Sequence, residues 1–327
     1  MRDLRFGYAL SSEEHRPLDL VANAARAEAA GFDFAMLSDH FHPWLDKQGQ
    51  APFAWSVLGG IAMATERMTV GTGVTALSVR IHPAILAQAA ATVGDMLPGR
   101  FWFGVGTGEN LNEHVLGDGW PEHSMRADML MEAVEVIRLL WTGELIDHHG
   151  DFYDVSRARI YTLPDPLPPI LIAASGEESA EVAGLIGDGL ISTGPDRKVV
   201  QAYGGDGPKV AQVTVCWAKD EAAARKTAMQ WWPTAAIPGD NSTELPLPSS
   251  FEALVPLVTE EALAEKVACG PDPETHMKAI QPYLDAGFDH VYLHQVGPDQ
   301  AGFIRFAERE LLPRLRGAKA GTRRKAA

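Results

Sequence analysis

The sequence predicts an α/β fold, a closed (β/α)8 TIM barrel with insertions after barrel strands. Three observations carry this. Eight short runs rich in β-branched and aromatic residues alternate with stretches of helical period. The 327 residues, 46% of them hydrophobic, suffice for one large core. The first strand is followed by Ser11-Ser12-Glu13-Glu14, with none of the glycines that an open, doubly wound sheet uses to hold a dinucleotide. Strict alternation also requires parallel strands, because each helix serves as the crossover between two of them.

Taken in order, the first strand is read at 4–10. A helix follows, opened by Pro17, with Leu18, Val21, Ala22, Ala25 and Ala29 on one face and Gly31 at its end. Further strands are read at 32–37, 68–75, 101–105, 169–174, 189–193, 210–217 and 290–294. Helices are read at 83–96, at 125–141 and from about Glu177. Two stretches break the rhythm. Residues 147–160 read as a hairpin turning at Gly150-Asp151, and 233–250 as a loop insertion rich in proline and polar residues. Insertions after barrel strands tend to cover the active face. A single catalytic domain is expected over 1–316, with a basic flexible tail at 317–327.

Composition excludes several function classes. There are 43 acidic against 28 basic residues, a net charge of −15, which opposes nucleic acids and anionic membranes as partners. No apolar run reaches the length of a membrane span, and no signal-peptide pattern opens the chain. Cys216 and Cys269 are the only cysteines, without ligand spacing or a disulfide framework, so the cytoplasm is the expected compartment. Asp147, His148, His149 and Asp151 invite a metal reading. Adjacent histidines in a hairpin point to opposite faces, and no metal is expected.

In a barrel of this kind, chemistry sits where strands end. After the second strand comes Ser38-Asp39-His40-Phe41-His42-Pro43-Trp44. His40 is a candidate general acid or base near neutral pH, Asp39 a hydrogen-bond acceptor for a cofactor ring, and Trp44 a flat face for a planar or sugar-like ligand. A loop with an aspartate cap and a core histidine is the plainer alternative. After the third strand, Gly71-Thr72-Gly73-Val74-Thr75 permits close backbone approach to a ligand. After the fourth, the alternating glycines of Gly104-Val105-Gly106-Thr107-Gly108 lead to Glu109 and Asn112, and Glu109 suits an acid if it is desolvated. After the fifth, Ser175-Gly176-Glu177-Glu178-Ser179 opens a helix whose amides suit a phosphate, although its acidic first turn also satisfies the helix dipole.

These motifs together resemble the F420-dependent branch of the luciferase-like barrel superfamily, and within it the glucose-6-phosphate dehydrogenase type. SDHFHPW and GVGTGENLNE carry most of the resemblance, with GYALSSEEH, VGTGVTAL, PPILIAASG and FDHVYLHQVGPDQ extending it over nearly the whole chain. The resemblance implies coenzyme F420 as cofactor, a small-molecule sugar, sugar phosphate or secondary alcohol as substrate, and a homodimer. It implies that His40 is the base toward the substrate hydroxyl, that Glu109 is the acid toward the reduced ring, and that Trp44 and Glu13 adjoin them. Asp39, Thr107, Gly108 and Asn112 match cofactor contacts. Ser175, Gly176, Glu178 and Ser179 match the segment that holds the cofactor's phosphate, and the Gly73–Val74 bond matches a non-proline cis peptide behind the ring.

The pattern departs at the substrate. Three cations hold the sugar phosphate in the resembled enzymes, and the matching positions here are Asp196, Asn241 and Lys266, of which only Lys266 is positive. Arg197 or Lys198 can replace one of them if the loop at Gly194-Pro195 shifts. Glucose-6-phosphate therefore competes with other sugars and secondary alcohols as the expected substrate. A reductase running the other way, an FMN-dependent monooxygenase of the same superfamily and a non-catalytic deazaflavin carrier are the rival readings.

Overall fold

Eight parallel strands close into a ring in the computed structural model, which describes residues 4–237 and 241–317. They are β1 (Arg5–Leu10), β2 (Phe34–Leu37), β3 (Thr69–Thr72), β4 (Phe101–Gly106), β5 (Ile170–Ala173), β6 (Gly189–Ser192), β7 (Lys209–Cys216) and β8 (His290–Gln295). Each pairs in parallel with the next, and β8 returns to β1 with Arg5 opposite His290 and Tyr8 opposite Leu293.

All eight coincide with runs read from the sequence, and the main difference lies in the third. The run 68–75 is not one strand. β3 ends at Thr72, the Gly73–Val74 bond is cis, and Thr75–Ala76 pairs afresh with Val105 and Gly106 of β4. The sequence hides the break because Thr75 and Ala76 keep a strand-like composition while changing partner.

The helices that cover the ring are α1 (Pro17–Ala29), α2 (Ala54–Ala64), α3 (Pro83–Met96), α4 (His123–Leu140), α5 (Glu177–Ile186), α6 (Arg197–Tyr203), α7 (Glu221–Trp231), α8 (Pro273–Ala286) and α9 (Gln300–Phe306). Proline at the first position of α1, α3 and α8 gives up an amide that has no helical partner there. Asp196, Asp220, Asp272 and Asp299 cap α6, α7, α8 and α9 through their side chains.

Strand periodicity sorts the core into two layers. Ala9, Phe34, Met36, Leu171, Ile191, Val210 and Tyr292 fill the inside of the ring. Their alternates, such as Ala35, Leu37, Val291 and Leu293, pack outward against the helices. The barrel is thus a filled core, and the space for chemistry lies above it.

Gly104 is dictated by this closure. A Cβ there would lie 1.9 Å from the Thr72 carbonyl oxygen and 2.8 Å from Ile191 Cδ1. Because the obstacle includes neighbouring backbone, Gly104→Ala is expected to destabilise the fold by about 1–3 kcal/mol. The check is a lower denaturation midpoint than the wild type.

The 147–160 stretch forms an antiparallel pair, Ile146–His149 with Asp154–Ala158. His148 Nε2 lies 3.3 Å from Glu132 on α4, whereas His149 Nδ1 lies 2.8 Å from Asp154 within the hairpin. The 233–250 stretch contains the short helices Pro233–Ala236 and Asn241–Glu244 and the start of Pro248–Leu254. Sequence periodicity did not separate these turns, nor the two-residue strand Ala268–Cys269 beside β7. Cys216 is fully buried in β7, as its apolar run predicts. No helix among the described residues is long and apolar enough to cross a membrane. Apart from Gly317, the predicted tail lies outside the described residues.

Candidate active site

A cavity of about 650 Å³ opens at the strand C-termini, and its wall brings together most of the site residues singled out from the sequence. Glu13, Asp39, His40 and Trp44 line it from the ends of β1 and β2, and Gly73 and Val74 from β3. Thr107, Gly108, Glu109 and Asn112 follow β4, and Ser175, Glu178 and Ser179 follow β5. Gly176, the N-cap of α5, is not among the residues that line it.

His40 sits between two carboxylates. Its Nδ1 lies 3.4 Å from Glu13 Oε1 and its Nε2 lies 3.4 Å from Glu109 Oε2. Burial alone would lower the imidazole's pKa. The charges of Glu13 and Glu109, the contact with the His42 carbonyl and the nearby Asp39 outweigh it and raise the pKa above its ordinary value. Glu13 is buried, which alone would raise its carboxyl. His40, its own backbone amide and the Ser38 hydroxyl instead hold it below the usual range. Ser38 and Ser11 donate to its Oε2 at 2.8 and 2.9 Å.

Glu109 goes the other way. Burial pushes its carboxyl up, and His40 and the Asn112 amide only partly offset this. Two carboxylates flanking one imidazole therefore differ in character: one stays ionised and the other retains a proton more readily.

Asn112 ties the two loops together. Its Nδ2 donates to Glu109 Oε2 at 3.0 Å, and its Oδ1 accepts the amides of Phe41 and His42 at 2.9 and 3.1 Å. The backbone on which Glu109 and Asn112 ride turns at Gly108, whose φ of +82° suits glycine. Trp44 faces His40 with ring centroids 5.3 Å apart and abuts Phe251 edge-on at 5.2 Å. The 233–250 stretch leads directly into the helix that carries Phe251. Ser242 and Thr243 in that stretch line the cavity.

Below this lies an ion network that sequence reading missed. Arg80 Nη2 donates to Asp39 Oδ1 at 2.9 Å and Arg80 Nε to Glu113 Oε1 at 3.3 Å. Asp39 Oδ2 accepts the Thr75 hydroxyl, and Glu113 Oε2 accepts the amides of Val79 and Arg80. Burial opposes the guanidinium charge, but the two carboxylates more than offset it and raise its pKa. Asp39 therefore borders the cavity with both oxygens already engaged, and can serve a ligand only through its remaining lone pairs or its backbone. Arg80 stands alone in SVRIHP without a periodic pattern, and Glu113 closes the NLNE turn as an ordinary acidic residue, so neither carried a signal.

The cations expected near the substrate are not on the cavity wall. Arg197 donates to the Asp285 carbonyl at 2.6 Å, Lys198 pairs with Glu177 at 3.5 Å in solvent, and Lys266 is exposed. Asp196 caps α6, accepting the Lys198 amide at 2.8 Å, and so has a structural reason to be aspartate. Two further wall residues escaped the sequence reading, Trp232 and His294, whose rings meet edge-on at 4.4 Å. They come from α7's end and β8, far apart in the chain, and only the folded barrel joins them.

Residues 4–290 match the luciferase-like monooxygenase family model. The chain is 38% identical over 330 residues to the F420-dependent glucose-6-phosphate dehydrogenase of Microbacterium testaceum (strain StLB037), covering 96% of this chain and 98% of that one. It is 36% identical over 334 residues to the enzyme of the same name from Nocardia farcinica (strain IFM 10152), covering 97% and 99%. Among solved structures, an F420-dependent secondary alcohol dehydrogenase in complex with an F420-acetone adduct superposes with a TM-score of 0.87 at 30% identity, covering 94% of this chain and 98% of that chain. A barrel with its polar residues gathered at the strand ends, matched over nearly its whole length by such relatives, belongs to the luciferase-like family, on the branch of the F420-dependent dehydrogenases.

Proposed function

We propose that this chain is a coenzyme F420-dependent dehydrogenase that takes a hydride from an alcohol carbon, with His40 as base and Glu109 as acid. The observation that carries the reading is the row Glu13–His40–Glu109 on the cavity wall, at 3.4 Å on either side of the imidazole. The names of the relatives support the cofactor.

The residues fit such a group. The cavity is large enough for a planar tricycle beside a small substrate, and its wall at Gly73, Gly106 and Gly108 carries no side chain. Asp39, Gly73, Val74, Thr107, Gly108 and Asn112 would surround the ring. Ser175, Gly176, Glu178 and Ser179 would hold the phosphate at the start of α5, a helix of ten residues whose first amides have no partner within the helix. When bound, the deazaflavin supplies the two-electron acceptor.

The chain's own groups move the protons. Neutral His40 takes the hydroxyl proton as the substrate's carbonyl forms. Ionised Glu13 stabilises the resulting imidazolium and fixes the ring. Glu109 keeps a proton at its carboxyl near the opposite edge of the imidazole. Trp44, backed by Phe251, gives the substrate a flat wall. The same reading makes the protein a cytoplasmic homodimer, from the family resemblance and from its two unpaired thiols.

The pH dependence follows from His40. A base must be deprotonated, so kcat/KM for alcohol oxidation falls as pH drops below the raised pKa of His40. Glu13→Gln removes the first-named of the charges that raise that pKa. The acid limb of the pH–rate profile is expected to move to lower pH, with the rate also reduced. An unmoved limb in the variant would separate His40's titration from Glu13.

Titration with oxidised F420 and, separately, with FMN tests the cofactor. Saturable perturbation of the F420 absorption band, with none for FMN, is the expected result. The reverse preference would overturn the reading in favour of a monooxygenase.

A further inference from the structure

The cavity wall has a marked charge character. Glu13, Asp39, Glu109, Asp128 and Glu178 all line it, and among the described lining residues there is no lysine or arginine. Its remaining titratable groups are the imidazoles of His40, His123 and His294 and the Tyr292 phenol. The cations nearest the lining residues in sequence sit off the described wall; Arg126, beside the lining residue Ala127, donates to the Pro121 carbonyl at 2.6 Å and to Glu244 Oε1 at 3.2 Å. Arg80 lies behind the wall between Asp39 and Glu113, Arg197 binds the Asp285 carbonyl, and Lys198 pairs with Glu177 with its side chain 72% exposed.

Resting on the dehydrogenase reading, we infer that the substrate is an uncharged alcohol, a free sugar or a simple secondary alcohol, and that phosphorylated sugars are rejected. Two features carry this. A phosphate dianion carried into the cavity would find no guanidinium or ammonium on its described wall, and would give up its water without a charge partner. The position where a phosphate-binding cation is expected holds Asp196, and its carboxylate is fixed as the α6 cap. The hydroxyl, amide and indole groups of Ser192, Thr193, Gln212, Trp232, Ser242 and Thr243 on the same wall suit neutral oxygen atoms.

The test uses the full chain saturated with F420 and follows bleaching of the oxidised band. Glucose and glucose-6-phosphate share one carbon skeleton and differ by the phosphate, and 2-propanol serves as the simple alcohol. The expected kcat/KM for the better of the two uncharged substrates exceeds that for glucose-6-phosphate by at least about tenfold. The disadvantage of the phosphate narrows as salt rises to about 0.5 M, because screening weakens like-charge repulsion. Glucose above 2-propanol marks a sugar enzyme, and the opposite order marks a simple-alcohol enzyme; both fit the inference. A kcat/KM for glucose-6-phosphate equal to or above the uncharged pair, falling with salt, would overturn it while leaving the dehydrogenase reading intact. F420 that binds but is bleached by none of the three would remove the alcohol-oxidation reading, and the inference with it.

Discussion

His40→Ala is expected to lower kcat/KM for alcohol oxidation by about 10²- to 10⁴-fold while F420 still binds. The magnitude is that of a general base removed from a site whose other parts remain. His40 does not hold the cavity up: Asn112 fixes the Phe41 and His42 amides, and the ion network fixes Asp39. The loss should therefore appear in turnover with F420-saturated enzyme, and the spectral titration with oxidised F420 should still reach saturation. A variant that loses cofactor binding in proportion to activity would reassign His40 to a structural role.

Arg80→Met is expected to cost about 3–5 kcal/mol of stability, because it leaves Asp39 and Glu113 as buried carboxylates without their cation. Both carboxylate side chains are wholly buried and the Arg80 side chain is only 7% exposed, so solvent does little to relieve the charge. The loss should appear as a lowered denaturation midpoint in apoprotein. The network also anchors the loops on which His40 and Glu109 sit, so the variant should lose F420 affinity as well. Adding Asp39→Asn and Glu113→Gln to Arg80→Met should recover part of the stability, since neutral groups tolerate burial better than unpaired charges. Failure of the triple variant to gain anything would show that packing, and not charge, sets the cost.

Much of this was legible before folding. The eight strands were readable because a parallel barrel buries both faces of each strand, leaving apolar runs such as ILIA and FAML bounded by turn residues. The candidate site was readable as a cluster because a barrel's cavity opens at its strand ends, so Asp39-His40 and Gly108-Glu109 stood out by position. What the sequence concealed depends on long-range geometry. Arg80 becomes significant only through two carboxylates from other strand ends. His294 and Trp232 reach the cavity through ring closure and the course of the chain after β7. The orientation of Arg197 and Lys198 was also out of reach. A cap residue and its neighbours look alike in sequence whether their side chains turn toward the cavity or, as here, toward Asp285 and Glu177.

The most direct test of the central claim is a single-turnover experiment. F420-loaded protein is mixed with excess secondary alcohol or sugar without oxygen, and the oxidised F420 band is followed in the wild type and in His40→Ala. Complete bleaching is expected in the wild type, with the ketone or lactone formed one for one, and bleaching slowed at least about a hundredfold in the variant. Equal bleaching rates in the two proteins would contradict the claim.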